Sequence, residues 1–190
     1  MKVIGLAGPP GSGKSAVGRE LAKRPGVRWI DLDPVAWSVY RRGTEAFVRL
    51  IDRFGSDVLS DSGEIDRRRL ARSAFASPGA RADLDEIVHP AVSDALVERI
   101  RSEAREGAEI LLVEGALLAT SPHVDRHAFD AVLWLDASPS VREERLAASG
   151  RETQADRLRG IEPPPGTVRI PADAGVTEVA KRVWRAISDL

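Results

Sequence analysis

Val3 to Ala7 is an uninterrupted apolar run that stops at Gly8, the pattern of a short strand buried on both faces. After a glycine-rich stretch, Ala16, Val17, Leu21 and Ala22 recur at helical spacing between Lys14 and Lys23, so the chain opens as strand, loop and helix. Apolar runs return in VRWIDLDP, EILLVEGALL and FDAVLWLDAS, and more weakly in GTVRI, which predicts four further strands separated by helical stretches. Strands alternating with helices make βαβ units. The expected fold is therefore α/β, a doubly wound, five-stranded parallel sheet that binds ligands beyond the carboxyl ends of its strands.

Two regions depart from this alternation. Residues 34–107 are mostly helical and arginine-rich, longer than one crossover helix requires, and read as a substrate-binding insert. Residues 138–166 carry Arg142, Arg145, Arg151, Arg157 and Arg159 before Pro163, Pro164, Pro165 and Gly166, the makings of a short mobile lid with a stiff exit. The expected organisation is one domain, with a core of about 1–33, 108–137 and 167–190, the insert at 34–107 and the lid at 138–166.

Composition narrows the chemistry. The 190 residues hold 28 Lys plus Arg against 29 Asp plus Glu, a formal charge of -1, so no overall field draws in nucleic acid or an anionic membrane. The absence of cysteine excludes disulfides and thiolate catalysis and agrees with a reducing cytosol, while histidines dispersed at His89, His123 and His127 make a poor zinc set. Neither a signal-peptide core nor an apolar run of the ~20 residues needed for a membrane span is present. A cytoplasmic, soluble monomer or small homo-oligomer is expected.

GPPGSGKS, Gly8 to Ser15, fits G-x-x-x-x-G-K-[ST] at every fixed position, directly after a strand and before a helix. Gly8, Gly11 and Gly13 let the main chain turn its N–H groups inward, and the helix N-terminus adds partial positive charge. Gly8, Pro10, Gly11, Ser12, Gly13, Lys14, Ser15 and Ala16 are thus candidate nucleotide-binding residues of a P-loop NTPase fold. Lys14 is expected at the β- and γ-phosphates of a nucleoside triphosphate, and the Ser15 hydroxyl on Mg²⁺. Such a loop serves kinases, switches and motors alike. The chain contains no asparagine, so the base-reading Asn-Lys-x-Asp of switch GTPases is impossible.

In WIDLDP, Asp31 and Asp33 fall at the end of the second strand and share a face if the strand continues. Either carboxylate suits an acceptor site, and Asp33 is the candidate base for a substrate hydroxyl. Asp33 before Pro34 also reads as a helix N-cap with proline in the first helical position. The two roles are compatible.

The phosphate loop, IDLD, FGSDVLSDSGEIDRRRLARSAFASP and LDEIVHPAV together resemble dephospho-CoA kinase, through about Leu146 or roughly three quarters of the chain. Phe54-Gly55, Gly63, Ile65-Asp66-Arg67, Leu70, Phe75 and His89-Pro90 form the ordered set. The resemblance implies transfer of the ATP γ-phosphate to the ribose 3′-hydroxyl of dephospho-CoA, with Asp33 as base, Lys14 and Arg145 at the phosphates, and Asp31, Arg67, Phe75, His89 and Leu117 at the acceptor. Guanidinium forks suit the pyrophosphate of that acceptor. Plainer readings stand beside these: Arg68 and Arg69 as solvated helix charges, Phe75 as core, and His89 before a proline that starts a helix.

Several positions depart from the family's pattern. Ala116-Leu117-Leu118 stands where Pro-Leu-Leu is usual. The preceding Glu114-Gly115 is similar to uridine kinase-like enzymes, in which the acid assists Mg²⁺ through water; a capping acid is the other reading of Glu114. Ile161 lies near a glutamine position, PADAG replaces an Asn-x-Gly turn that borders adenine, and Trp37 lies near a position that often holds histidine or arginine. Two further readings remain open: a kinase of another small hydroxyl compound such as a nucleoside, and a non-catalytic nucleotide-binding homologue.

Overall fold

The computed structural model describes residues 1–115, 118, 126–151, 163 and 165–190. Five strands, β1 (Lys2–Ala7), β2 (Val27–Asp31), β3 (Ile110–Glu114), β4 (Ala131–Asp136) and β5 (Val168–Pro171), form one sheet in the order β2-β3-β1-β4-β5. Every pairing is parallel, as the alternation of apolar runs predicts. Helices α1 (Lys14–Leu21), α2 (Leu32–Ser38), α3 (Glu45–Phe54), α4 (Arg67–Ala74), α5 (Pro78–Arg105), α6 (Pro139–Ala148) and α7 (Val176–Ser188) complete the described elements, with short 3-10 turns at Ser56–Val58 and Arg126–Ala128.

The chain divides into two compact units. One contains residues 1–32 and the described part of 100–190; the other contains residues 33–99. In the first, β1 is the middle strand and its Val3 to Ala7 are all buried, the reason that segment lacks alternation. Ile4, Leu6, Leu112, Leu133 and Leu135 of the sheet pack with Val17 and Leu21 of α1 and with Val179, Val183 and Ile187 of α7. This packing fixes the strand ends and holds α1 behind the loop that follows β1.

In the second unit, Thr44 caps α3 by accepting a hydrogen bond from the Phe47 N–H at 3.2 Å, and Phe47, Leu50, Val58 and Leu70 are all buried. Asp66 caps α4 through the Arg68 and Arg69 N–H groups at 2.8 and 3.0 Å. The Arg69 N–H above all, with that of Arg68, holds the Asp66 carboxyl below the usual aspartate range.

Three local expectations are corrected. β2 stops at Asp31 and α2 begins at Leu32, so Asp33 is neither a continuation of the strand nor the N-cap. It lies in the first turn of the helix, where the missing N–H of Pro34 removes no intrahelical bond. Pro90 does not start a helix, since α5 runs through it from Pro78 to Arg105; the flanking turns, with Ile87, Val88 and Val92 buried, carry the helix past the one missing donor. Phe75 is not core but 65% exposed, because it falls at the C-cap of α4, beyond the face that buries Leu70 and Ala74.

Candidate functional site

The loop between β1 and α1 is shaped by close backbone approaches. Gly8, Gly11 and Gly13 all have positive φ. At Gly11, φ +79°, a Cβ would fall 2.6 Å from the carbonyl oxygen of Arg142, so the turn admits only glycine. Gly13 also forms the N-cap of α1 without a side-chain bond, which leaves first-turn N–H groups for an anion. Lys14 curls back over the loop, its Nζ donating to the carbonyls of Gly8 at 2.9 Å and Pro9 at 3.1 Å. Ser12 is 1% exposed, and its Oγ has no hydrogen-bond partner among the described residues. Pro10 and Ser15 are partly buried at the loop, and Ala16 is exposed.

Arg145 of α6 reaches the same loop. Its Nη1 donates to the carbonyls of Ser12 at 3.3 Å and Gly11 at 3.5 Å, and its Nη2 to Ala174 at 2.7 Å and Ala172 at 3.0 Å. One guanidinium thus ties the phosphate loop to the turn after β5. Asp173 of that turn accepts from the Ser138 N–H at the start of α6 at 2.7 Å. Arg142, one turn earlier on α6, contributes backbone to the Gly11 contact, and its Nε has no partner among the described residues.

At the carboxyl ends of β2 and β3, Asp31 and Glu114 stand opposite each other in register. Glu114 is 4% exposed. Its Oε1 accepts from Ser15 Oγ at 2.6 Å, and its Oε2 accepts from Trp29 Nε1 at 3.1 Å. Burial raises the affinity of Glu114 for a proton, opposed by the Ser15 and Trp29 hydrogen bonds and by the charge of Lys14. Glu114 thus binds the phosphate-loop serine, while residues 116 and 117, which a capping acid would serve, lie outside the described residues.

The acceptor candidates of residues 33–99 are arranged by side-chain packing. Asp33 is exposed on α2. The Arg67 guanidinium stacks 3.9 Å from the centroid of Trp37, itself 45% exposed. Burial raises the pKa of Tyr40, against the charge of Arg67. Arg81 lies over Phe75 at 5.5 Å. His89 Nε2 lies 3.5 Å from Asp85 Oδ1, one turn back on α5. Arg68 is exposed as expected of a solvated charge, but Arg69 is not one: it donates to the Leu59 carbonyl, because the turn between Leu59 and Ile65 presents that oxygen to α4. Leu117, Ala116, Ile161, Arg157 and Arg159 lie outside the described residues.

Sequence reasoning passed over Trp29, Gly18, Asp173 and the stacking role of Trp37. The one available signal for Trp29 was an aromatic residue two positions before Asp31 on the same strand face.

The dephospho-CoA kinase family model matches residues 2–162. The chain belongs to that family. The match runs past Leu146, so more of the chain follows the family's pattern than the ordered motifs alone indicate. Among curated members, a dephospho-CoA kinase of Symbiobacterium thermophilum is 34% identical over 193 residues, covering 100% of this chain and 74% of its own length. One from Corynebacterium jeikeium is 38% identical over 161 residues, 85% of this chain and 81% of its own. A crystal structure of a Thermus thermophilus protein is similar at 29% identity with a TM-score of 0.78, covering 99% of this chain and 96% of that one. The fold is shared with a Campylobacter jejuni dephospho-CoA kinase at 16% identity, TM-score 0.64, covering 100% of this chain and 97% of that one.

Proposed function

We propose that the chain phosphorylates the ribose 3′-hydroxyl of dephospho-CoA with ATP, giving coenzyme A, the last step of its biosynthesis. Family membership supports the reaction; the observation that carries it to particular residues is the glycine-turned loop whose carbonyls both Lys14 and Arg145 bind.

In this reading the N–H groups of residues 11–16 and the Lys14 ammonium hold the phosphates of ATP, and Arg145 adds fixed positive charge beside the loop. Asp33 accepts the proton of the acceptor hydroxyl as the oxygen attacks phosphorus; the P–O bond to the β-phosphate breaks and ADP leaves. Asp31, Arg67, Phe75, His89 and Leu117 serve the acceptor, with Arg67 directed at phosphate.

The donor set at Ser15 fits magnesium. Ser15 Oγ, in the first turn of α1, and the Glu114 and Asp31 carboxylates, at the adjoining ends of β3 and β2, are hard oxygen groups, too few for an all-protein cage and suited to a cation that keeps waters and phosphate oxygens. Ser15 would bind it directly and Glu114 through water. Bound there, the ion neutralises charge on the phosphates during transfer.

Among the described residues no helix is long and apolar enough to cross a membrane, and with a cysteine-free chain a cytoplasmic setting is proposed. The test is ADP release by purified chain with Mg²⁺ and ATP, comparing dephospho-CoA, uridine, cytidine and no acceptor. Release that requires dephospho-CoA is expected. Release driven instead by a nucleoside, or by no acceptor, overturns the assignment.

A further inference from the structure

Trp29 is fixed by the two elements that flank it. It lies on β2 two residues before Asp31, and the β2–β3 register puts Trp29, Asp31 and Glu114 on one face of the sheet. A Cβ on Gly18 would fall 2.3 Å from both Cδ1 and Nε1 of the indole, so the ring lies directly on the bare backbone of α1. The Arg19 guanidinium covers it at 5.5 Å from the centroid. With its plane set in this way, the indole N–H is directed at Glu114 Oε2 at 3.1 Å.

Indole is a donor with no acceptor capacity, and a carboxylate held at one oxygen cannot rotate freely about its terminal bond. The other oxygen, Oε1, then takes the Ser15 proton at 2.6 Å. A hydroxyl has one proton and two lone pairs, so donation to Glu114 turns the lone pairs of Ser15 away from the carboxylate. We propose that Trp29 is a positioning residue for metal–nucleotide binding, acting through Glu114 to aim the Ser15 oxygen at the cation. This rests on the phosphate-loop reading but not on the identity of the acceptor.

The test compares ATP affinity with Mg²⁺ and with EDTA, by calorimetry, in the full chain. Trp29→Phe keeps an aromatic ring on Gly18 and removes the N–H. It is expected to weaken binding of the magnesium complex about tenfold, as outer partners of metal sites do, while metal-free ATP binds as in the wild type. Because the effect passes through Glu114, Trp29→Phe is expected to add little to Glu114→Ala. Equal losses with and without magnesium, or a full further loss in the Glu114→Ala background, would overturn the proposal and leave Trp29 a packing residue. Should Trp29→Phe fail to fold, the indole N–H resonance of Trp29 in the wild type decides: magnesium–ATP is expected to shift it more than ATP in EDTA, and identical shifts contradict the proposal. Failure to bind ATP in any form would instead strike the phosphate-loop reading, and a wrong acceptor would leave all these results unchanged.

Discussion

In the phosphate-loop unit the Arg145 guanidinium is held by four backbone carbonyls and the Lys14 ammonium by two. In residues 33–99 the Arg67 guanidinium rests on the exposed face of Trp37. Carbonyls placed by glycine turns fix a cation in direction as well as position. A cation on an exposed ring is attracted by about 0.5–1 kcal/mol and can slide across the face. Lys14 and Arg145 are thus fixed by the main chain, while Arg67 can re-aim at small cost; under the proposed function, the first suits a fixed nucleotide site and the second an acceptor that carries its own pyrophosphate.

Loss of the Lys14 charge carries the largest expected effect. Lys14→Ala is expected to reduce phosphoryl transfer by about a hundred- to a thousandfold, the scale of losing one preorganised charge; steady-state kcat near the wild type would refute the loop assignment. Asp33→Asn is expected to lower kcat by about a hundredfold while calorimetry still finds ATP bound, which separates proton transfer from nucleotide binding. Gly18→Ala sharpens the picture of a main-chain site. Alanine is favoured over glycine in a helix by about 1 kcal/mol, but overpacking against a rigid indole costs about 1–3 kcal/mol. A lower thermal midpoint is therefore expected, and a raised one would mean that Trp29 moves freely. Trp37→Ala has the smallest effect, a rise of about two- to fivefold in the KM for dephospho-CoA with the KM for ATP unchanged; equal changes in both would assign the stack to folding.

These two regions were not equally legible. The five parallel strands and the loop were open to reading because buried parallel strands require continuous apolar runs, and because G-x-x-x-x-G-K-[ST] states backbone turns that glycine alone permits. Side-chain partnerships carry no such mark. Nothing in Trp29 or Gly18 taken singly announces that a ring lies on a bare helix backbone and donates to Glu114. Pro34 and Pro90 misled for a related reason, since a proline reports a missing donor but not whether the helix around it tolerates the loss. The core reading of Phe75 fails because apolar character predicts burial only where an element turns that face inward.

In the proposed reaction one phosphoryl group passes from ATP in the loop of Gly8 to Ser15 to the 3′-oxygen of dephospho-CoA. It is tested most directly by following labelled γ-phosphate with Mg²⁺ and dephospho-CoA and locating the label in the product. Label is expected on the ribose 3′-oxygen of coenzyme A, abolished in Lys14→Ala and strongly slowed in Asp33→Asn. Label that appears only as inorganic phosphate, or at the same rate in Asp33→Asn, would contradict it.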